Sequence, residues 1–252
     1  MLAACAPAAV TPTPLHPRLL QLSQSGTLQI ATAITQPFEY YDAQGQLVGF
    51  DIDLMNATAA SLNVTPVWRE VAFADLLTVL AQGDVDVVIA AMYVTPAREE
   101  LVDFSQAYLQ SGLVLVVRAD EQNITNITDL ENRLVGVKAD ATGDTYAQML
   151  IEDRGIALQI RRYTDTGDSL EDLSLGLIDA VFNDYLNTQY YQREHSGVRI
   201  QGEILQTASL SIAVRAGDTP LLDFINRALD ELRASGVMER LYRLWIAPVD
   251  TP

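Results

Sequence analysis

Two hydrophobic periods alternate along this chain, and that alternation constrains its fold more than any other feature. From Thr27 onward, short runs rich in β-branched residues are separated by stretches whose apolar residues recur at helical spacing. Such an order predicts an α/β architecture, a parallel sheet covered by helices. Strands are expected at residues 28–33, 64–69, 85–90, 134–138, 158–163 and 180–182. Two longer apolar runs lie at 113–117 and 210–214. Helices are expected at 51–62, where Ile52, Met55, Ala59 and Leu62 fall on one face, and at 73–82, where Gly83 stops the pattern. A third begins with Pro220 in its first turn and runs to residue 235, and a fourth resumes past Gly236 to residue 246. At roughly 150 residues per domain, 252 residues make one large domain or two modest ones.

Composition excludes several classes of function. Thirty-three acidic against sixteen basic residues give a net charge of −17 with no Lys/Arg cluster, so a phosphate backbone would be repelled and nucleic acid is not a partner. Fifteen of the bases are Arg; the only Lys is Lys138. No run reaches the roughly 18 apolar residues that a spanning helix needs, so any membrane link is expected to be an anchor. Gly-rich phosphate loops, Cys/His ligand clusters and a Gly-x-Ser-x-Gly elbow are all absent, so neither a metal nor a cofactor is implied. His16 and His195 lie in polar surroundings and read as solvated surface residues.

The opening Met1-Leu2-Ala3-Ala4-Cys5 resembles the lipobox at which bacterial lipoproteins are cleaved and acylated, which makes Cys5 the expected lipidation site. With no second Cys, no internal disulfide can form. Residues 6–25 mix Pro, Thr and Ala without strand or helix period, and together with the lipobox remnant residues 1–25 are expected to form a flexible tether.

A resemblance to a known family rests on a series of motifs. Gly49-Phe50-Asp51-Ile52-Asp53-Leu54 resembles the signature of the family 3 solute-binding proteins, the extracytoplasmic receptors of polar amino-acid ABC importers, although Thr58 stands where that pattern prefers an aliphatic residue. The likeness continues through Phe73-Ala74-Asp75-Leu76-Leu77, Gly83-Asp84-Val85-Asp86 and the run from Thr95-Pro96 through Arg98 to Ser105. It extends to Gly136-Val137-Lys138, Ala141-Thr142-Gly143, Ile178 through Asp184, and Gly236-Val237-Met238 with Trp245.

The resemblance implies a type II periplasmic-binding-protein-like fold: two α/β lobes joined by a two-segment hinge. Lobe 1 would be discontinuous, residues 26–110 plus 208–252, and lobe 2 would comprise 111–207, with crossings at 109–116 and 208–214. It implies a monomer that closes on a polar amino acid or similar zwitterion and delivers it to ABC permease subunits, in the periplasm or on the outer face of the cytoplasmic membrane.

By the same resemblance, Arg98 would grip the ligand α-carboxylate and Asp184 would accept its α-ammonium. Thr142 would reach the carboxylate from lobe 2, with Gly143 permitting a close backbone approach. Lys138 matches a ligand-contacting Lys of glutamine binders, and a strand-end Lys reaching solvent is the alternative. Phe73 would pack on the ligand side chain, Asn183 adjoins the site, and Ala91 lies in the segment that offers backbone groups. Tyr93 replaces a small Ser or Thr and would narrow the cleft, favouring a compact or cationic ligand. Residues 31–37 lack the acid that basic ligands require, a role left open to Glu39. Two other functions share this fold: a cyclohexadienyl dehydratase-like enzyme, for which Glu39, Asp140 and Asp144 are candidate acids, and a free-standing ligand sensor.

Overall fold

The computed structural model describes residues 15–247; Cys5 lies outside them. Twelve strands and nine α-helices are present among the described residues, and they build two separate five-stranded sheets.

The first sheet has the order β4-β1-β5-β12-β6. It comprises β1 (Thr27–Thr32), β4 (Thr65–Glu70), β5 (Val87–Val88), β6 (Val102–Phe104) and β12 (Ala213–Arg215). Its first three strands are parallel, as the alternating pattern requires, and β12 enters antiparallel to both neighbours. The second sheet has the order β11-β7-β10-β8-β9, with β7 (Leu109–Arg118), β8 (Leu134–Lys138), β9 (Gln159–Tyr163), β10 (Ala180–Asp184) and β11 (Val198–Leu210). A small ribbon pairs β2 (Tyr40–Tyr41) with β3 (Leu47–Val48). The chain passes from the first sheet to the second between Phe104 and Leu109 and returns between Leu210 and Ala213.

Helices cover both sheets. The first lobe carries α1 (Pro17–Ser25), α2 (Phe50–Ser61), α3 (Leu76–Gln82), the single turn α4 (Pro96–Glu99), α8 (Thr219–Ala234) and α9 (Val237–Leu241). The second carries α5 (Thr142–Glu152), α6 (Thr166–Ser174) and α7 (Tyr185–Tyr191). None of them is long and apolar enough to cross a membrane. Each sheet buries an apolar cluster on both faces; Val114 and Val116 of β7 face one cluster while Leu113, Leu115 and Val117 face the other. A strand buried on both faces has to read as a continuous apolar run, which is why 113–117 stood out.

Several expectations need correction. Residues 17–25 are not tether: Pro17 occupies the first turn of α1, Gly26 ends it with φ 72°, and Leu19 and Leu22 are buried in the lobe 1 core. Arg18 fastens this helix by ion pairs to Asp86 (2.6 Å) and Asp218 (2.9 Å). The Pro-rich composition hid a short amphipathic pattern. The run 210–214 is not one strand, since Leu210 ends β11 and β12 starts at Ala213. The largest omission is β11, thirteen residues whose exposed polar positions and irregular register near Gln201 and Gln206 blur the period of two. Helix 73–82 begins as a 3-10 turn, Phe73–Asp75, and the last helix ends as a π turn, Tyr242–Ile246.

Because α1 belongs to the core, Leu22→Ala should lower stability by about 2–3 kcal/mol in chemical denaturation. A residue in a solvated tether would change it by roughly nothing.

Candidate functional site

The junction between the sheets forms a cleft, and all nine predicted ligand-contacting residues line it. Lobe 1 contributes Phe73, Ala91, Tyr93 and Arg98; lobe 2 contributes Lys138, Thr142, Gly143, Asn183 and Asp184. Thr35, Leu113 and Thr166 also line it and are not among the ligand contacts expected from sequence, because nothing in their local pattern marks them as contacts.

Arg98 sits in α4, where Pro96 opens the turn and the Thr95 hydroxyl caps it by accepting from the Arg98 N–H. Its guanidinium donates to the Tyr93 carbonyl at 2.9 Å and, across the cleft, to the Asp140 carbonyl at 3.4 Å. Of five N–H donors, three are left. No carboxylate pairs with Arg98 among the described residues, and burial lowers its pKa.

Asp184 ends β10 and caps α7, its Oδ1 accepting from the Asn187 N–H at 2.9 Å. Its Oδ2 accepts from the hydroxyls of Tyr93 and Ser111, both at 2.6 Å. A carboxylate has about four lone-pair sites, so one on Oδ1 is left. Burial raises the Asp184 pKa, and the hydrogen bonds oppose that shift. Tyr93 therefore touches both charged groups, Arg98 through its carbonyl and Asp184 through its hydroxyl.

Lys138 ends β8 and is buried, not solvent-reaching. Its ammonium donates to the Ile34 carbonyl at 2.9 Å and to the Thr35 hydroxyl at 2.5 Å, both on the opposite lobe. Phe73 receives two cations, with the Arg98 guanidinium 5.2 Å and the Lys138 ammonium 5.0 Å from its ring centroid. Thr142 and Gly143 open α5, so their N–H groups have no acceptor within the helix and give the cleft a positive helix end.

Packing alone requires glycine at 143, because a Cβ there would lie 2.8 Å from the Phe182 carbonyl oxygen. The Asn183 amide is turned towards α7, donating to Asn187 and Thr188, which leaves its carbonyl oxygen uncommitted.

The comparisons decide the family. The model of the bacterial extracellular solute-binding proteins, family 3, matches residues 28–248. The chain belongs to that family. Among its relatives, the L-arginine-binding protein of Pseudomonas aeruginosa is 30% identical over 213 residues, 81% of this chain and 82% of that protein. Two solved structures are similar throughout. An ancestral arginine-binding protein bound to arginine has a TM-score of 0.82 at 33% identity, covering 88% of this chain and 99% of that one. An ancestral amino acid-binding protein described as a precursor of cyclohexadienyl dehydratase has a TM-score of 0.84 at 28% identity, covering 91% and 100%. The family's two α/β lobes with mixed sheets are the architecture found here.

The signature of this solute-binding protein supports the cleft from behind. Gly49 has φ 135°, and a Cβ there would come within 2.2 Å of the Phe38 carbonyl oxygen, so only glycine fits. Next to it, Asp51 is fully buried, and its Oδ2 accepts from the Ala91 N–H and the Tyr108 hydroxyl, both at 2.8 Å. Ala91 is thereby held at φ 45° at the cleft wall. Glu39 lies beside Asp51, fully buried with neither oxygen partnered, and does not line the cleft. It is therefore not the missing acid for a basic ligand. Burial first, and the neighbouring Asp51 second, push the Glu39 pKa well up; burial raises Asp51 to about 6.

A carboxyl group whose pKa is raised on folding stabilises the fold fully below its unfolded value and loses that contribution as pH rises through the folded one. For Asp51 that window runs from 3.8 to about 6, and for Glu39 it opens at 4.5 and runs well above it. Glu39→Gln removes one of the two ionisations. The melting temperature of E39Q relative to the parent should therefore rise as the pH increases above 4.5 in paired thermal melts. A pH-independent difference would show that Glu39 keeps an ordinary pKa.

Proposed function

We propose that the protein captures a free amino acid outside the cytoplasm and delivers it to the membrane subunits of an ABC importer. One juxtaposition carries this reading. Among the described residues, Arg98 is a guanidinium without a carboxylate, Asp184 is a partly buried carboxylate without a cation, and both line the same cleft from opposite lobes. Neither charge is cheap to bury alone, and an amino acid's α-carboxylate and α-ammonium complement the pair. The three spare donors of Arg98 and the α5 N–H groups suit the carboxylate; the free site on Asp184 Oδ1 suits the ammonium. A ligand held from both sides favours the closed arrangement of the lobes, hinging at the two crossings beside β7 and β11.

Binding without bond-making is the reading the carboxyl groups favour. Glu39 is walled off from the cleft, and Asp144 is held by Arg162 at 2.7 and 2.9 Å, with its pKa lowered. Asp140 also falls outside the cleft lining and contributes its carbonyl to Arg98. Relatives that bind arginine support an amino acid as the cargo. The protein acts as a monomer anchored through an acylated Cys5, which keeps it near its permease.

Isothermal titration against the twenty amino acids should find a ligand whose affinity drops roughly a hundredfold in Arg98→Ala, as expected for about 2–3 kcal/mol from a charge-assisted carboxylate contact. Asp184→Asn should cost a similar factor. Consumption of prephenate, or amino-acid binding indifferent to both substitutions, would overturn the proposal.

A further inference from the structure

The cleft wall is not charge-balanced. Arg98 and Lys138 both line it and both stand on the Phe73 ring, whereas Asp184 is the only carboxylate among its described lining residues. An amino acid's α-carboxylate and α-ammonium answer Arg98 and Asp184, and one cation is left over. Lys138 is buried with only two acceptors for its three N–H bonds, both of them neutral oxygens, Ile34 O and Thr35 Oγ1. Its third donor has no acceptor among the described residues.

We infer that the bound amino acid carries a second carboxylate on its side chain, placed against Lys138, so that the ligand is a glutamate- or aspartate-like acid. This rests on the reading of the cleft as an amino-acid site. A dicarboxylic amino acid has net charge −1, which matches the +1 of Arg98, Lys138 and Asp184 together. A desolvated ammonium gains most from an anionic acceptor, less from an amide oxygen, and nothing from a second cation.

The same geometry opposes a cationic side chain. The Phe73 ring that would attract a guanidinium already carries two cations, at 5.0 and 5.2 Å from its centroid. A third would meet like charges at short range, with no carboxylate but Asp184 among the described lining residues to offset them. Glu39 does not supply one, since it lies outside the cleft lining and burial disfavours its charged form. Asp165, the other acid whose charge acts on Lys138, caps α6 by accepting from the Gly167 N–H. The ligand class thus differs from that of the arginine-binding relatives.

Titration calorimetry of the full chain with glutamate, aspartate, glutamine and arginine tests this. One of the two acids should bind at least tenfold tighter than glutamine, and arginine should bind more weakly than either acid. Lys138→Met should cut the ratio of acid to glutamine affinity by roughly tenfold or more, corresponding to about 1.4 kcal/mol. A purely structural Lys138 would weaken every ligand alike and leave that ratio unchanged. Lys138→Arg keeps the charge and should retain the preference, which guards against misfolding of the Met variant. Arginine binding as tightly as the acids, with dependence on Arg98, would overturn this inference and leave the amino-acid receptor intact. Silence towards all twenty amino acids would overturn both.

Discussion

Everything at the lobe junction depends on a carboxylate that is partly buried there. Asp184 stands at the end of β10, partly screened from water, and its charge is stabilised because three donors converge on it. Those donors come from three places: Asn187 on α7, Ser111 on β7 and Tyr93 on the opposite lobe. The last of them makes the carboxylate a contact between lobes and links it, through one residue, to Arg98. The two charged groups are therefore positioned relative to each other by the Tyr93 backbone and ring, and not only by the lobes that carry them.

The order of strands explains how one chain achieves this. The antiparallel pair of β7 and β11 lies at the edge of the second sheet, and its ends lead back to the first. Two connections rather than one restrict the lobes to a hinge, which preserves the register of opposing side chains on closure. Further contacts span the cleft at Lys138 with Thr35 and at Asn187 with the Gln36 carbonyl. Each is polar, so separation of the lobes exchanges them for water at small net cost, and the balance is sensitive to a ligand.

Behind the cleft, the pair of Glu39 and Asp51 illustrates a second use of buried charge. Asp51 keeps Ala91 in a left-handed conformation that a residue with a Cβ rarely adopts, so a backbone group at the cleft wall is fixed from the core. Glu39 contributes no hydrogen bond of its own. Burial is the first reason that both carboxyl groups hold their protons more tightly than usual, and for Glu39 the neighbouring Asp51 adds to it.

Sequence by itself determined the fold class and most of the cleft lining. Strand and helix periods are local properties, and Arg98 with Thr95-Pro96, or Asp184 at the end of an apolar strand, carries its signal within a few residues. Helix α1 escaped because a Pro-rich composition outweighed two buried leucines, and β11 escaped because its register irregularity interrupts the alternation. Only tertiary structure could place Glu39 behind the cleft instead of in it, since burial depends on what packs over a residue. The same is true of Tyr93 on Asp184, ninety-one positions apart, and of two cations on one phenylalanine ring. Charge complementarity is decided by distances in space, and those are set when the two lobes meet.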